Sequence, residues 1–172
     1  MQRVGEFEKV SYEQFSCAVK DVFAGADESL AMDFITDAYE HIMLPTRATS
    51  GSAGYDFKSP FPFVLKPGQS IKIPTGIRVK IDDGWWLACL PRSGLGFKYQ
   101  VRLANTVGVV DSDYYYSSNE GHIFLKFVNS GSRSIEVDAG NGIAQGIFVP
   151  YGLTYSDNVT DIRNGGMGST GN

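Results

Sequence analysis

Short runs of apolar or alternating residues, each closed by a turn signal, dominate the chain from Ser52 to Pro150. Runs of about four to eight residues between clusters of glycine, proline, asparagine and aspartate are typical of strands joined by tight turns. Many short strands at this spacing predict an antiparallel sandwich or barrel. The clearest runs are Ser70–Ile73, Ile77–Ile81, Trp85–Leu90, His122–Val128 and Ile143–Val149.

The first 41 residues have a different pattern, in which apolar residues recur at helical spacing. Ser11 followed by Gln14 resembles a capping box, a signature of a helix start. Two helices are predicted, the second with Asp27 as its N-cap and Pro45 as its stop. Their apolar stripe either packs on the chain's own domain or bridges subunits. The stripe comprises Phe15, Val19, Val22 and Phe23, then Leu30, Phe34, Ala38 and Ile42.

From Tyr151 onward the chain becomes polar, and it ends in a glycine-rich stretch over residues 163–172. Such a stretch cannot bury enough apolar surface to order itself unaided. It is either a frayed end or a segment that orders on a ligand. The predicted organisation is an N-terminal helical extension over residues 1–41, a β domain over residues 42–150 and a C-terminal arm over residues 151–172.

The net charge of −4 argues against a protein that binds nucleic acid through a general basic field. A small anionic substrate is compatible with it, since a few local basic groups suffice. No run of about 18 apolar residues could span a membrane, and the N-terminus lacks the order of a signal peptide. The two cysteines, Cys17 and Cys89, fit a reducing compartment better than a disulfide scaffold. A cytoplasmic protein is therefore expected.

Three segments concentrate glycine beside polar side chains. In Pro91–Gly96 an arginine, a hydroxyl and exposed amides suit phosphate oxygens, and a plain β-turn is the alternative. In Asn105–Tyr114 an apolar strand ends in two carboxylates, which suits a hairpin carrying the acid Asp111 into a cleft, or a turn that caps a strand. The third segment, Gly165–Gly171, resembles a lid that closes on phosphates, or a disordered tail.

Other classes of catalytic site find no support. The chain has no Cys/His cluster with zinc spacing and no GxxxxGK[ST] loop. A zinc site and a Walker-type nucleotidase are therefore disfavoured. His41 and His122 stand apart in the sequence, and a surface or core role is expected for each.

In this order, the segments resemble the five sequence motifs of the trimeric dUTP pyrophosphatase family. The similarity covers about residues 42–171. It implies a mainly β, distorted jelly-roll or β-barrel fold with an N-terminal helical arm and a flexible C-terminal tail. It also implies Mg²⁺-dependent hydrolysis of dUTP to dUMP and diphosphate by a homotrimer with shared active sites. The motifs are Leu44–Thr49 with Ser52–Asp56, then Pro91–Gly96, Asn105–Tyr114, Gly140–Gln145 and Arg163–Gly171.

The resemblance implies three roles near the reacting phosphorus. Asp111 matches the acid that contacts the sugar 3′-hydroxyl and positions the water attacking the α-phosphorus, so it is the candidate general base. Tyr114 matches the aromatic residue beneath the deoxyribose, where a ribose 2′-hydroxyl would clash. Asp56 matches an acid that supports Mg²⁺ indirectly, through its water shell.

The remaining matches concern the base and the phosphates. Asn105 and the backbone around Gly108 and Val110 resemble the edge that recognises uracil in a pocket too tight for a thymine methyl group. The phosphate contacts match Arg92, Ser93, Gly94 and Gln145, and the lid matches Arg163, Met167, Gly168, Ser169 and Thr170.

Several features depart from the family pattern. Gly142 stands where the fourth motif usually has arginine, so a structural salt bridge is expected to be missing. Met167 replaces a phenylalanine that stacks on uracil, in a motif one residue shorter than usual. Residues 115–121 lengthen the turn after Tyr114, and the helical arm has no counterpart in the shortest members. The arm and the lengthened turn are candidate surfaces for a regulatory protein partner, of the kind that some phage members engage.

The nearest alternative is the related dCTP deaminase family, which shares the β-fold and the trimer. A deaminase is expected to carry a catalytic glutamate in the hairpin of the uracil site. The residues from Asp111 to Tyr114 and the complete C-terminal motif favour the pyrophosphatase instead.

Overall fold

A computed structural model of the protein describes residues 2–23, 28–161 and 163, with residues 28–31 described by their backbone alone. Strand predominates over helix, 36% against 21%, so the predicted mainly β class is confirmed. Within these residues no helix is both long and apolar enough to cross a membrane. The expectations for Asp27, for the side chain of Leu30 and for the tail after Arg163 lie outside the described residues.

The five strands predicted from apolar runs are all present, as β5, β6, β7, β10 and β12 below. The helices of the described residues are α1 (Tyr12–Val22), α2 (Glu28–Glu40) and α3 (Ser93–Tyr99), with a 3₁₀ helix at Ser112–Tyr116. The strands are β1 (Gly5–Lys9), β2 (Thr46–Arg47), β3 (Tyr55–Lys58), β4 (Phe63–Leu65), β5 (Ser70–Pro74), β6 (Ile77–Ile81), β7 (Trp85–Pro91), β8 (Val101–Leu103), β9 (Gly108–Val110), β10 (Phe124–Asn129), β11 (Ile135–Val137) and β12 (Gly142–Pro150).

The strands form antiparallel sheets whose neighbours are mostly distant in sequence. The largest sheet has the order β2-β3-β12-β7-β9, and a three-stranded sheet has the order β5-β10-β8. Two further pairs, β1 with β6 and β4 with β11, complete the described strands. This crossing connectivity is jelly-roll-like, and the strands of the described residues do not close into a barrel.

One hydrophobic core lies between the sheets because the strands alternate buried and exposed residues. On β6, Ile77, Val79 and Ile81 point inward, whereas Lys80 is exposed. The long strand β12 pairs with both β3 and β7, so it forms the centre of the largest sheet. Strands β3, β7 and β12 therefore hold the residues at their ends in a rigid frame.

The N-terminal helices pack on the chain's own β domain. Ser11 is the N-cap of α1, as predicted, and its Oγ accepts a hydrogen bond from the Gln14 backbone N–H at 3.1 Å. Phe15 and Val19 of α1 and Ile35 of α2 are buried in the common core. Of the two alternatives for the apolar stripe, this burial supports packing within the domain. Helix α2 ends at Glu40, short of Pro45.

Strand β1 has no counterpart among the predicted elements. Its sequence sets Phe7 among charged residues, so the apolar content of the run is too low to indicate a strand. Pairing with β6 and the burial of one ring stabilise it instead. The Phe7 ring contacts the rings of Phe57 and Phe148, each at a centroid distance of 5.7 Å.

Two local features near the candidate site differ from expectation. The segment Pro91–Gly96 is not an isolated β-turn, because Ser93 begins α3. Strands β8 and β9 do not pair with each other as a hairpin would. β8 pairs with β10 and β9 pairs with β7, so the turn over residues 104–107 joins two sheets. Thr106 in this turn has a φ of 66°, in the left-handed region.

Candidate active site

Three predicted phosphate-site and metal-site residues meet at one end of the largest sheet, in a group named here the arginine corner (Asp56, Arg92, Gly142 and Gln145). Gln145 on β12 lies opposite Asp56 on β3. On its other side, β12 pairs with β7, and Arg92 follows the last residue of β7. Arg92 Nε lies 3.5 Å from Asp56 Oδ1, a loose ion pair in which both side chains keep contact with solvent.

Gly142 shapes the arginine corner because Arg92 lies across it. A Cβ atom at Gly142 would overlap Arg92 Nη1 and would stand 3.0 Å from both Cδ and Cζ of that side chain. The structural salt bridge expected to be missing at Gly142 is thus replaced by the pair between Arg92 and Asp56. Ser93 and Gly94, which follow Arg92, are exposed at the start of α3.

The predicted base lies in a second group, named here the acid turn (Asp111, Asp113, Tyr114 and Arg163). Arg163 Nη2 donates to Asp111 Oδ2 at 2.6 Å, and Arg163 Nε donates to Asp113 Oδ1 at 2.9 Å. The arginine is only 12% exposed, whereas the two carboxylates are about half exposed. Its guanidinium carbon lies 5.6 Å from the centroid of the Tyr114 ring.

Tyr114 is held rigidly at the bottom of the acid turn. It is 3% exposed, and its hydroxyl donates to the carbonyl oxygen of His122 at 2.8 Å. Asn119 Nδ2 donates to the same hydroxyl at 2.9 Å. Two hydrogen bonds and burial therefore fix the position of the ring on which the sugar is predicted to lie.

The predicted uracil edge follows the turn between β8 and β9. Asn105 is exposed, so its side chain is available to a ligand. Val110 is 2% exposed and belongs to the core, so only its backbone could contact a base. At Gly108 a Cβ atom would lie 3.1 Å from the Cβ of Cys89, which explains the close approach of the two backbones there.

Within one chain, the arginine corner and the acid turn lie far apart. Because β9 is antiparallel to β7 with Val110 opposite Leu87, Asp111 lies near the start of β7 and Arg92 beyond its end. About six residues of extended strand separate the two positions, which corresponds to roughly 20 Å. The two groups of one subunit therefore do not form a single site.

The described residues contain no group of three or more His, Cys, Asp or Glu side chains that could hold a metal ion by themselves. Met167, Gly168, Ser169 and Thr170, predicted as the lid, lie outside the description. Both cysteines are free, and burial raises the pKa of the Cys89 thiol to about 12. Cys89 is therefore unsuited to nucleophilic chemistry near neutral pH.

A model of a known protein family decides where the chain belongs. The family model described as dUTPase matches residues 40–171, which is most of the sequence. The chain belongs to the dUTPase family. The match leaves out β1, α1 and nearly all of α2, so the N-terminal arm is an addition to the part that the family model covers.

Curated dUTPase sequences agree with this assignment. A protein of Klebsiella pneumoniae is 41% identical over 136 residues, covering 74% of this chain and 86% of that protein. A protein of Escherichia coli K12 is 40% identical over 136 residues, covering 74% and 87% of the two chains. Each is named deoxyuridine 5′-triphosphate nucleotidohydrolase.

Solved dUTPase structures share the fold. The crystal structure of the Streptococcus mutans dUTPase superposes with a TM-score of 0.63 at 30% identity, covering 86% of this chain and 97% of that one. The dUTPase of Staphylococcus bacteriophage 80alpha gives a TM-score of 0.59 at 20% identity, covering 73% and 94%. The similarity to the phage protein concerns the fold alone.

Two features of this dUTPase site have no counterpart among the predicted site residues. Asp113 was given no role, although it shares Arg163 with Asp111, and the Asp-Ser-Asp spacing was the available signal. The second feature is the hydrogen bonding of Tyr114 to Asn119 and His122. No local pattern in the sequence indicates that contact, because it depends on how the lengthened turn folds back.

Proposed function

We propose that the protein is a dUTP diphosphatase that hydrolyses dUTP to dUMP and diphosphate, with Asp111 as the general base. The observation that carries this proposal is the acid turn itself. In a chain of the dUTPase family, an accessible carboxylate at Asp111 adjoins the rigidly held ring of Tyr114. An acid and an aromatic platform so arranged suit a water nucleophile and a deoxyribose.

In the proposed reaction, the carboxylate of Asp111 accepts a proton from water. The water oxygen forms a bond to the α-phosphorus, and the bond from that phosphorus to the bridging oxygen breaks. Diphosphate leaves with the bonding electrons. A positioned base contributes about 10²–10⁴-fold to such a step. Arg163, which pairs with Asp111 and Asp113 here, is suited to exchange a carboxylate for a phosphate oxygen when substrate binds.

We propose that the arginine corner and the lid bind the triphosphate. Arg92, Ser93, Gly94 and Gln145 are available to the phosphates, and the lid adds Arg163, Met167, Gly168, Ser169 and Thr170. Phosphoanhydride cleavage depends mainly on positioning and charge neutralisation, which these donors supply. Asn105 and the backbone at Gly108 and Val110 are proposed to recognise uracil.

The chemistry of the donors fits Mg²⁺ as the cofactor. Mg²⁺ keeps several waters and binds mostly through substrate phosphates, so a site with one protein carboxylate is sufficient. Asp56 is that carboxylate, partly exposed beside Arg92. Bound to the triphosphate, Mg²⁺ would neutralise charge on the phosphates and orient them.

We further propose that the protein is a homotrimer with active sites between subunits, as in the family that it resembles. The separation of roughly 20 Å between Asp111 and Arg92 supports this, because no substrate-sized site within one chain includes both. The free thiols of Cys17 and Cys89 are in keeping with a cytoplasmic location. A regulatory protein partner stays a prediction.

The proposed activity is tested by diphosphate release from dUTP, dTTP, dCTP and UTP under the same conditions. We expect dUTP to be strongly preferred, because a thymine methyl group and a ribose 2′-hydroxyl would clash in the site. Equal turnover of UTP would contradict the role of Tyr114. Ammonia release from dCTP would favour the deaminase, although residues 104–116 contain no glutamate.

Removing the metal provides a separate test. Excess chelator is expected to abolish diphosphate release, and added Mg²⁺ is expected to restore it, since the metal neutralises and orients the triphosphate. Circular dichroism of the chelated protein should be unchanged, because no site held by several side chains occurs in the described residues. Full activity in excess chelator would contradict Mg²⁺ as the cofactor.

A further inference from the structure

The lengthened turn after Tyr114 is attached to the N-terminal arm through Glu120. The Ser11 backbone N–H donates to Glu120 Oε2 at 2.8 Å, and the Ser11 hydroxyl donates to Glu120 Oε1 at 2.6 Å. Ser11 is the N-cap of α1, and in a capping box the third helical residue would satisfy its N–H. Here Glu120, distant in sequence, does so. The start of α1 and the end of the turn are thus a single hydrogen-bonded unit.

A second attachment joins Tyr115 to β1. The Tyr115 hydroxyl donates to Glu8 Oε2 at 2.8 Å. Arg78, directly opposite Glu8 on β6, pairs with the same carboxylate at 2.7 Å. The Arg78 guanidinium also lies over the Tyr115 ring, 4.6 Å from its centroid. Tyr115 is therefore held by the arm and by β6 together.

The same turn fixes Tyr114 from behind. Ser117 Oγ donates both to the Tyr114 carbonyl oxygen and, as an alternative, to Asn119 Oδ1, each at 2.7 Å, while Asn119 holds the Tyr114 hydroxyl. Gly121 has a φ of 69°, and a Cβ atom there would lie 2.7 Å from the Tyr115 Cα. The turn thus closes tightly on itself, and a displacement of its ends would reach Tyr114.

His122 provides a third link between the arm and Tyr114. Its carbonyl accepts the hydrogen bond of Tyr114, and its ring is buried between the Phe15 and Phe124 rings. Its Nε2 accepts a hydrogen bond from the Gly76 N–H at 2.8 Å. Burial lowers the pKa of His122 to about 4, so the ring is neutral near neutral pH.

We propose that the N-terminal arm is a positioning element of the active site. Glu120 and Tyr115, held by Ser11 and Glu8, set the position of Tyr114 and Asp111 and thereby the discrimination between deoxyribose and ribose nucleotides. The inference rests on the proposed function, and it assigns a role in substrate selection to a segment outside the part matched by the dUTPase family model.

The charge at Glu120 is consistent with this role. Burial by itself would raise the pKa of Glu120, but the hydrogen bonds from Ser11 outweigh it, and the pKa is lowered. Glu120 is thus a carboxylate near neutral pH and accepts both hydrogen bonds. Removing it leaves the N–H of Ser11 without its acceptor and frees the end of the turn.

The experiment compares kcat/KM for dUTP with kcat/KM for UTP in the full-length protein. Glu120→Ala is expected to lower the dUTP/UTP ratio by about tenfold or more, because small misplacements near a reacting centre are costly. Tyr115→Phe, which loses the bond to Glu8 but keeps the ring under Arg78, should lower the ratio by a smaller factor. Glu136→Ala, at an exposed position on β11, is the matched control and should leave it unchanged.

Two further variants separate positioning from general stability. Glu120→Gln is expected to restore most of the ratio, since its amide can accept from the Ser11 N–H and donate to the hydroxyl. Ser11→Ala combined with Glu120→Ala should have less than the product of the two single effects, because both changes break one contact. Thermal unfolding of every variant shows whether the ratio follows stability.

An unchanged dUTP/UTP ratio in folded Glu120→Ala and Tyr115→Phe would overturn the inference, and a lower melting temperature alone would not support it. If Glu120→Ala does not fold, Tyr115→Phe decides by itself. A wild-type protein that fails to hydrolyse dUTP would instead contradict the proposed function. In that case the binding ratio of dUMP to UMP, measured by calorimetry on the same variants, still tests the arm.

Discussion

Replacing Asp111 with asparagine is expected to lower the turnover of dUTP by at least about 100-fold, as the loss of a positioned general base predicts. The amide is nearly isosteric with the carboxylate and keeps an oxygen that can accept from Arg163, which now donates to Asp111 at 2.6 Å. The fold and the binding of nucleotide should therefore persist. Single-turnover kinetics and calorimetry with a non-hydrolysable dUTP analogue measure the two effects separately.

The neighbouring carboxylate supplies the matched comparison for this prediction. Asp113 shares Arg163 with Asp111 and is similarly exposed, yet it is not the predicted base. Asp113→Asn is thus expected to reduce turnover far less than Asp111→Asn. Near-normal turnover in Asp111→Asn, or an equal loss in both variants, would show that Asp111 does not act as the base.

Two inactive variants are expected to restore activity when their subunits are mixed. Asp111→Asn removes the proposed base, and Arg92→Ala removes a phosphate contact in the arginine corner. Because Asp111 and Arg92 lie roughly 20 Å apart in one chain, each active site should combine one residue from each of two subunits. Some sites of a mixed trimer then contain both native residues. Random assembly should restore about one quarter of the wild-type activity.

The mixing experiment requires subunits to exchange, so the variants should be unfolded and refolded together or produced in the same cells. Each variant refolded alone is the control, and light scattering should show trimers in every sample. Trimeric mixtures with no gain over the separate variants would contradict a site shared between Asp111 of one subunit and Arg92 of another. An active monomer would contradict the homotrimer.

The main strands and the first helix could be predicted from the sequence because their signals are local. Alternating residues such as Ile77, Val79 and Ile81 match the two-residue period of a strand, and turn residues close each run. Ser11 three residues before Gln14 likewise marks a helix start in a single short window. β1 escaped prediction because its charged residues hide the pattern, and it is stable only beside β6.

The order of the motifs sufficed to predict the family, and the residue types at each motif pointed to phosphate and base chemistry. Contacts between distant segments could not be predicted in this way. Arg92 reaches Asp56 only because β12 pairs with both β3 and β7 and because Gly142 leaves room for the guanidinium. A glycine in place of a usual arginine indicates a missing group, but not which neighbour compensates for it.

The sequence by itself therefore determined the class of fold, the family and the residue types able to carry the chemistry, since these follow from local periodicity and motif spacing. Only the tertiary structure decided which of those residues are neighbours. Sheet register separates Asp111 from Arg92, and the folded turn joins Glu120 to Ser11 across the chain. Both depend on long-range pairing, which is set by the burial of a shared core that no single segment encodes.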